Sequence, residues 1–184
     1  KLEVDDELFN NWKAEVMFQT IHHIRRNFAV YDAIRSLEEH GITCCVLKGE
    51  VLSNLYSTPN SRISSDTDIL IAKKLERKAV KVLKNIGYDV RRRSYTSHHT
   101  RCIHQVAGLI ELHINLHDEI FEDIWFDNKD FSDEPYMQIR TADGNLITTF
   151  GVTDGLIYTT LHCIKHFLSK GVGIRQIMDT LLYM

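Results

Sequence analysis

Two aspartates two residues apart, at the head of an apolar and β-prone run, constrain this chain more than any other feature. In Ser65-Asp66-Thr67-Asp68-Ile69-Leu70-Ile71 the side chains of an extended strand alternate, so Asp66 and Asp68 share one face. A second run, residues 109–116, alternates almost perfectly, with Ile110, Leu112, Ile114 and Leu116 on one face and Glu111, His113 and Asn115 on the other. Glu111 thereby supplies a third carboxylate on a neighbouring strand. Three acids on one face repel one another, and no cation lies near them in sequence. A divalent metal between them resolves the repulsion, and all-oxygen ligands favour Mg²⁺, with Mn²⁺ as the alternative. Carboxylate-held Mg²⁺ implies phosphate chemistry.

Composition bounds this reading. With 184 residues, 43% hydrophobic and 26% charged, the chain can bury a core of its own. The formal net charge of −3 calls for neither nucleic acid nor an anionic membrane surface, so no specific DNA binding is expected. No apolar run approaches the roughly 20 residues that span a bilayer, and the amino terminus lacks a signal pattern, so a cytoplasmic protein with no membrane partner is expected. Cys44, Cys45, Cys102 and Cys163 match no zinc or redox spacing and read as small buried hydrophobes with reduced thiols.

The pattern along the chain divides into three parts. Residues 1–40 form a helical segment, with Leu8, Trp12 and Val16 and then Ile24, Phe28, Tyr31 and Ile34 at three- and four-residue steps. Gly41 ends it. Residues 41–134 form the core: a doubly covered strand at 42–47, a Lys48-Gly49 turn, a short helix at 50–56, and the Asp66 strand. An amphipathic helix at 73–85 follows, then a short strand at 88–93 and a hairpin from residues 101–106 and 109–116. The acidic, aromatic stretch 118–134 reads as loop and short helix. Residues 135–184 read as a C-terminal helical segment; its last helix stops inside an apolar pattern, which leads us to expect a piece of a longer protein.

In this order and spacing the sequence resembles the nucleotidyltransferase superfamily typified by DNA polymerase β. Val46-Leu47-Lys48-Gly49-Glu50-Val51-Leu52, residues 62–71, Glu111-Leu112-His113 and residues 162–179 resemble, more closely, a bacterial family of uncharacterised nucleotidyltransferases, over roughly residue 41 to the end. The resemblance implies an α/β (α+β) fold: a mixed sheet backed by helices, with helical flanks at both ends. It also implies transfer of a nucleoside monophosphate from an NTP to an acceptor hydroxyl on a small molecule, protein or RNA. Asp66, Asp68 and Glu111 are the implied catalytic and metal-binding residues, holding two Mg²⁺ ions. Gly49 is the implied turn before a helix N-terminus that receives the triphosphate. Lys48, Arg62, Ser65, His113 and Lys165 complete the candidate nucleotide contacts. The superfamily usually has serine after the turn glycine, where this chain has Glu50. A carboxylate facing the triphosphate would oppose binding; one turned toward a cation would leave the site intact.

Several residues carry a second reading. Asp66 and Asp68 could be a solvated strand-edge pair, Lys48 a solvated strand end, and Arg62 a loop cation paired with an aspartate. His113 could hold Glu111 by a hydrogen bond, touch substrate, or be an ordinary half-buried histidine. His162 and His166, four apart on a helix, could chelate zinc, although structural histidines suit them better. Arg175 and Asp179 form an i,i+4 pair. The basic patch from Arg91 to Arg101, with His98, His99 and His104, reads as a solvated edge strand. Other classes remain open: a catalytically inactive nucleotide- or protein-binding module of the same fold, a toxin–antitoxin component, and a sugar-nucleotide glycosyltransferase, which also uses DxD but after a longer nucleotide-binding half.

Overall fold

A computed structural model describes residues 5–91, 99–116, 136–169 and 171–184. The expectations for residues 92–93, His98 and the stretch 118–134 lie outside the described residues.

The chain opens with one long helix, α1 (Asp6–Glu39). Asp5 caps it through a 2.7 Å bond from the Glu7 amide, which satisfies one of the free donors of the first turn. At 34 residues it runs about 50 Å, further than the sheet it packs on. Only its second half is buried, through Val30, Tyr31, Ala33, Ile34 and Leu37 and the polar His23, Arg26 and Asn27. Of the residues whose spacing marked the helix, Leu8, Trp12, Val16 and Phe28 are exposed. Periodicity marks a helix face, but the neighbours that cover it are a tertiary matter.

Among the described residues seven strands follow: β1 (Cys45–Val46), β2 (Asp66–Leu70), β3 (Asp89–Arg91), β4 (His99–His104), β5 (Gly108–His113), β6 (Tyr136–Arg140) and β7 (Leu146–Phe150). They form one mixed sheet in the order β3-β4-β5-β2-β1-β7-β6. β2 runs parallel to β5 and antiparallel to β1, and β1 runs parallel to β7. The one-turn α2 (Glu50–Ser53) follows β1, α3 (Glu76–Asn85) follows β2, and α4 (Val152–Ser169) and α5 (Ile174–Tyr183) close the chain.

The two sheet faces bury different partners. On one, α1 and α3 cover Val46, Ile69, Ile71, Ile110, Leu112 and Ile147. On the other, Ile157, Tyr158 and Leu161 of α4 pack on a smaller cluster of Cys45, Leu47, Leu70 and Phe150. β1 is buried on both faces as expected, although its ladder is only two residues long. Residues 136–150, expected to be helical, form a hairpin that completes the sheet. Tyr136-Met137-Gln138-Ile139-Arg140 does alternate, and Ala142-Asp143-Gly144-Asn145 is turn chemistry. Gly144 has φ 83°, a left-handed conformation that suits glycine.

Candidate active site

Strand register assembles the site. β2 and β5 pair with Asp68 opposite Glu111 and Leu70 opposite His113, and directly paired residues of parallel strands point to the same face. Asp66, two residues before Asp68, joins them. One ligand oxygen from each of Asp66, Asp68 and Glu111 lies within 4.8 Å of the others. The carboxylates occupy the same sheet face as the α4 cluster, at the β2–β5 side of it.

A cation does reach these acids, contrary to what the linear sequence suggested. Lys48, at the end of β1, places Nζ 3.0 Å from Asp68 Oδ2 and donates to His162 Nε2 on α4. His113 Nε2 lies 2.9 Å from Asp68 Oδ1, so this histidine holds Asp68 rather than Glu111, from which it is 3.9 Å away. Burial works to raise the Asp68 carboxyl, yet the Lys48 charge and the His113 hydrogen bond outweigh it and hold the group well below the usual carboxylate range. Glu111 goes the other way: burial and then the Asp68 charge raise it, against the pull of His113. Burial followed by the Lys48 charge pushes His162 down to about 3, so it is the neutral imidazole that accepts the lysine proton. Ser64 Oγ donates to the Asp66 carbonyl at 2.9 Å and to its carboxylate at 3.3 Å.

Beside Asp66 a cavity of about 210 Å³ opens between β2 and the α4–α5 pair. Lys48, Arg62, Ser65 and Asp66 line one side, and His162, Cys163, His166, Arg175 and Asp179 the other. Lys165 is half-buried on α4 but is not among the lining residues; a residue one step from His166 lies about 100° around the helix. Arg62 is buried and forks onto Asp179, Nε to Oδ1 at 2.7 Å and Nη2 to Oδ2 at 2.8 Å, while its Nη1 donates to the Gly49 carbonyl at 3.1 Å. Tyr56 also donates to Asp179, at 2.8 Å. Asp179 therefore pairs with Arg62 and not with Arg175, whose Nη1 bonds the Ile63 carbonyl at 2.7 Å. The phosphate contact expected of Arg62 gives way to a carboxylate supplied from 117 residues away, which no local pattern announces.

Glu50 faces away from the acids. It is buried, and Oε1 pairs with Arg26 Nη1 of α1 at 3.1 Å and accepts from Thr67 Oγ1 at 3.0 Å. Arg26 Nη2 donates to the same threonine oxygen. Thr67 sits on the α1 face of β2, between the two aspartates of the other face, so this cluster backs the active-site strand. Gly49, which begins the turn, has φ 74°; the conformation, not lack of space, demands glycine, since an added Cβ would meet only the Asp66 carbonyl at 3.7 Å. Cys44, Cys45 and Cys102 are buried and Cys163 half-buried, all as free thiols. Among the described residues, no helix is long and apolar enough to cross a membrane.

A carboxylate trio on adjacent strands of a mixed sheet, beside a cavity lined by cations and acids and backed by helices, suits a nucleotidyltransferase. The chain belongs to the family described as uncharacterised nucleotidyltransferase, whose model matches residues 1–184, and is an enzyme of that class. No curated protein matches its sequence. Solved structures share its fold. A lincosamide antibiotic adenylyltransferase bound to lincomycin has 17% identity over 86% of this chain and 94% of that one, with a TM-score of 0.56. The protein ANT(2")-Ia, in complex with adenylyl-2"-tobramycin, has 8% identity over 85% and 86%, with a TM-score of 0.60. An antigenic nucleotidyltransferase-like protein from Paracoccidioides brasiliensis has 15% identity over 86% and 75%, with a TM-score of 0.57. At these identities the likeness is one of fold.

Proposed function

We propose that this enzyme transfers a nucleoside monophosphate from an NTP, with ATP as the first candidate, to the hydroxyl of a small acceptor molecule. The convergence of Asp66, Asp68 and Glu111 beside a cation-lined cavity is the observation that carries the reading. Two proteins of like fold, a lincosamide antibiotic adenylyltransferase and ANT(2")-Ia with adenylyl-2"-tobramycin, support adenylyl as the group and a small hydroxylated molecule as the acceptor. In the reaction the acceptor oxygen bonds to the α-phosphorus, the bond from that phosphorus to the bridging oxygen breaks, and pyrophosphate leaves.

The donor set fits a hard divalent cation. Asp68 Oδ2 is buried against the Lys48 ammonium at 3.0 Å, and one oxygen from each of Asp66, Asp68 and Glu111 lies within 4.8 Å of the others, an all-oxygen set that one hard cation can bridge. Asp66, Asp68 and Glu111 would hold Mg²⁺, which when bound offsets triphosphate charge and makes an acceptor hydroxyl easier to deprotonate. The chain's own residues do the rest. Lys48 and Arg175 line the cavity on opposite sides, and once a metal ion offsets the carboxylates they are the cations placed to meet the triphosphate. α2 is a single turn, so these cations, more than a helix dipole, carry that attraction. Glu111, at the edge of the trio, would take the acceptor's proton. Most of the rate enhancement is positioning and charge complementarity.

The non-catalytic reading rested on Glu50 opposing the triphosphate, and the pairing of Glu50 with Arg26 removes that ground. The test is transfer of label from α-³²P-labelled NTPs to hydroxylated small molecules, aminoglycosides and lincosamides first. Label transferred by the wild type and lost in Asp66→Asn is expected; equal labelling by both would refute the assignment.

A further inference from the structure

Glu111 belongs to two clusters of ligating side chains. One is the all-carboxylate trio. The other joins it to two histidines of the β4–β5 hairpin: one ligand atom from each of His99, Glu111 and His113 lies within 4.8 Å of the others. The hairpin register sets His99 directly opposite His113, with ring centroids 5.3 Å apart, and Glu111 precedes His113 by two residues on the same face. His99 Nε2 lies 3.5 Å from Glu111 Oε1, and His113 Nε2 lies 3.9 Å from Glu111 Oε2.

We propose that His99, Glu111 and His113 form a Zn²⁺ site, separate in chemistry from the carboxylate trio, whose occupation draws Glu111 and His113 away from Asp68 and inhibits nucleotidyl transfer. Ligand bonds of about 2.0–2.2 Å in a tetrahedron place donor atoms about 3.4 Å apart. The two histidines meet different oxygens of Glu111, at 3.5 and 3.9 Å, and all three donors lie within 4.8 Å of one another, so modest side-chain rotations bring them to that spacing. Two imidazoles and one carboxylate select Zn²⁺ and its borderline relatives over Mg²⁺, which dehydrates reluctantly and takes oxygen. Three protein donors leave one position of the tetrahedron for water.

The site competes with a present arrangement rather than adding to it. The His113 Nε2 that would take the ion is the atom now bonded to Asp68 Oδ1. Arg101 Nε, 3.8 Å from Glu111 Oε1, is half-exposed and can swing into solvent at little cost. Because Glu111 serves both clusters, an ion bound between the histidines withdraws one of the three acids that the transfer reaction needs. The inhibition rests on the function proposed above. The metal site does not.

Metal-stripped full-length protein is titrated with Co²⁺, whose visible absorption reports low-coordinate nitrogen ligation, and then with Zn²⁺ to displace it. The wild type is expected to show the bands, Asp66→Asn to keep them, and His99→Gln to bind Co²⁺ ~100-fold more weakly or worse, since removal of even an outer partner of a ligand costs 10–100-fold. Unchanged bands in His99→Gln, or their loss in Asp66→Asn, would overturn the site. X-ray absorption on Zn²⁺-loaded wild type gives a variant-independent check: imidazole scattering is expected, and its absence overturns the site whether or not a variant folds. The competition is read by Mn²⁺ electron paramagnetic resonance, with Mn²⁺ standing in for Mg²⁺ at the carboxylate trio. Zn²⁺ should weaken Mn²⁺ binding at least tenfold in the wild type and not in His99→Gln; equal weakening in both overturns the coupling. Zn²⁺ should also inhibit Mg²⁺-supported transfer by the wild type at least tenfold more strongly than by His99→Gln. Should no transfer be found on any acceptor, the proposed function falls, while the absorption and resonance measurements still decide the site.

Discussion

The two faces of β2 carry polar clusters of similar size and opposite purpose. On the α1 face, Thr67 receives Arg26 and gives its proton to Glu50, and Arg26 closes the triangle on Glu50 at 3.1 Å. The Arg26 and Glu50 side chains are 3% and 1% exposed, so water reaches neither. On the other face, one residue to either side, Asp66 and Asp68 converge with Glu111, and the cations nearby do not match the acids one for one. Charge matching separates a lock from a site. The first cluster pairs one cation with one anion and fixes α1, the Gly49 turn and the head of β2 to one another, with Glu50 Oε2 and Arg26 Nε left without a hydrogen bond. The second leaves its acids in excess of the cations that reach them, which is the demand the proposed metal ion and triphosphate would meet.

That contrast can be broken, and the largest effect should fall on the lock. Arg26→Ala strands the Glu50 carboxylate in the core, and breaking a buried pair costs about 3–5 kcal/mol; urea denaturation should show the loss. The double variant Arg26→Met, Glu50→Leu should recover most of it, since an apolar pair of similar volume carries no stranded charge. A double variant as unstable as the single one would show that the charges themselves are needed.

On the open face the order of damage reverses between function and stability. Asp66→Asn should cut transfer by ~10²-fold or more and leave the melting temperature nearly unchanged, because it removes repulsion as well as a ligand. Asp68→Asn should cut transfer as deeply and also lower the melting temperature, because Lys48 and His113 lose the charge they pair with. Matching melting temperatures for the two variants would mean that Lys48 does not depend on Asp68.

Acid should loosen the metal-free protein as its buried histidines are forced to take up protons. His162 is held near 3 in the folded chain against 6.5 unfolded, and His23, buried near the Arg26 charge, is lowered too. Between these limits the unfolded chain binds protons that the folded chain refuses, so stability is fully present above about pH 6.5 and falls as pH drops toward 3. Each such histidine contributes a slope of at most about 1.4 kcal/mol per pH unit. Thermal melts at pH 7, 6 and 5 should trace the decline, with a shallower slope in His162→Gln. A flat profile would place His162 in contact with water.

The smallest effect is expected at Arg101, whose contact with Glu111 is 3.8 Å long and half in solvent. Arg101→Gln should change stability by less than about 1 kcal/mol in urea melts. A larger loss would make Arg101 a partner of the site.

Strand alternation and order made much of the site legible. Asp66, Asp68 and Glu111 could be placed on one face because a period of two leaves no alternative once the strands are recognised, and their adjacency followed from the family resemblance. The hairpin at 136–150 was equally written in its residues, in the alternation of Tyr136 to Arg140 and the turn at Gly144, but a helical reading of the whole C-terminal segment passed over it. The exposed Leu8, Trp12 and Val16 show the limit of periodicity: it gives a stripe on a helix and cannot say that the sheet ends before the helix does.

By itself the sequence determined that Asp66, Asp68 and Glu111 share sheet faces, because strand alternation is local, and the family resemblance gave the class of enzyme. Which charge meets which was decided only by the tertiary structure. Arg62 could face a phosphate or an aspartate, Glu50 a triphosphate or an arginine, and Lys48 water or Asp68. Each answer came from a residue far along the chain, Asp179, Arg26 and the β1–β2 pairing respectively. Electrostatic pairing acts through space at a few ångströms, and distance along the chain carries no information about it until the fold has brought the partners together.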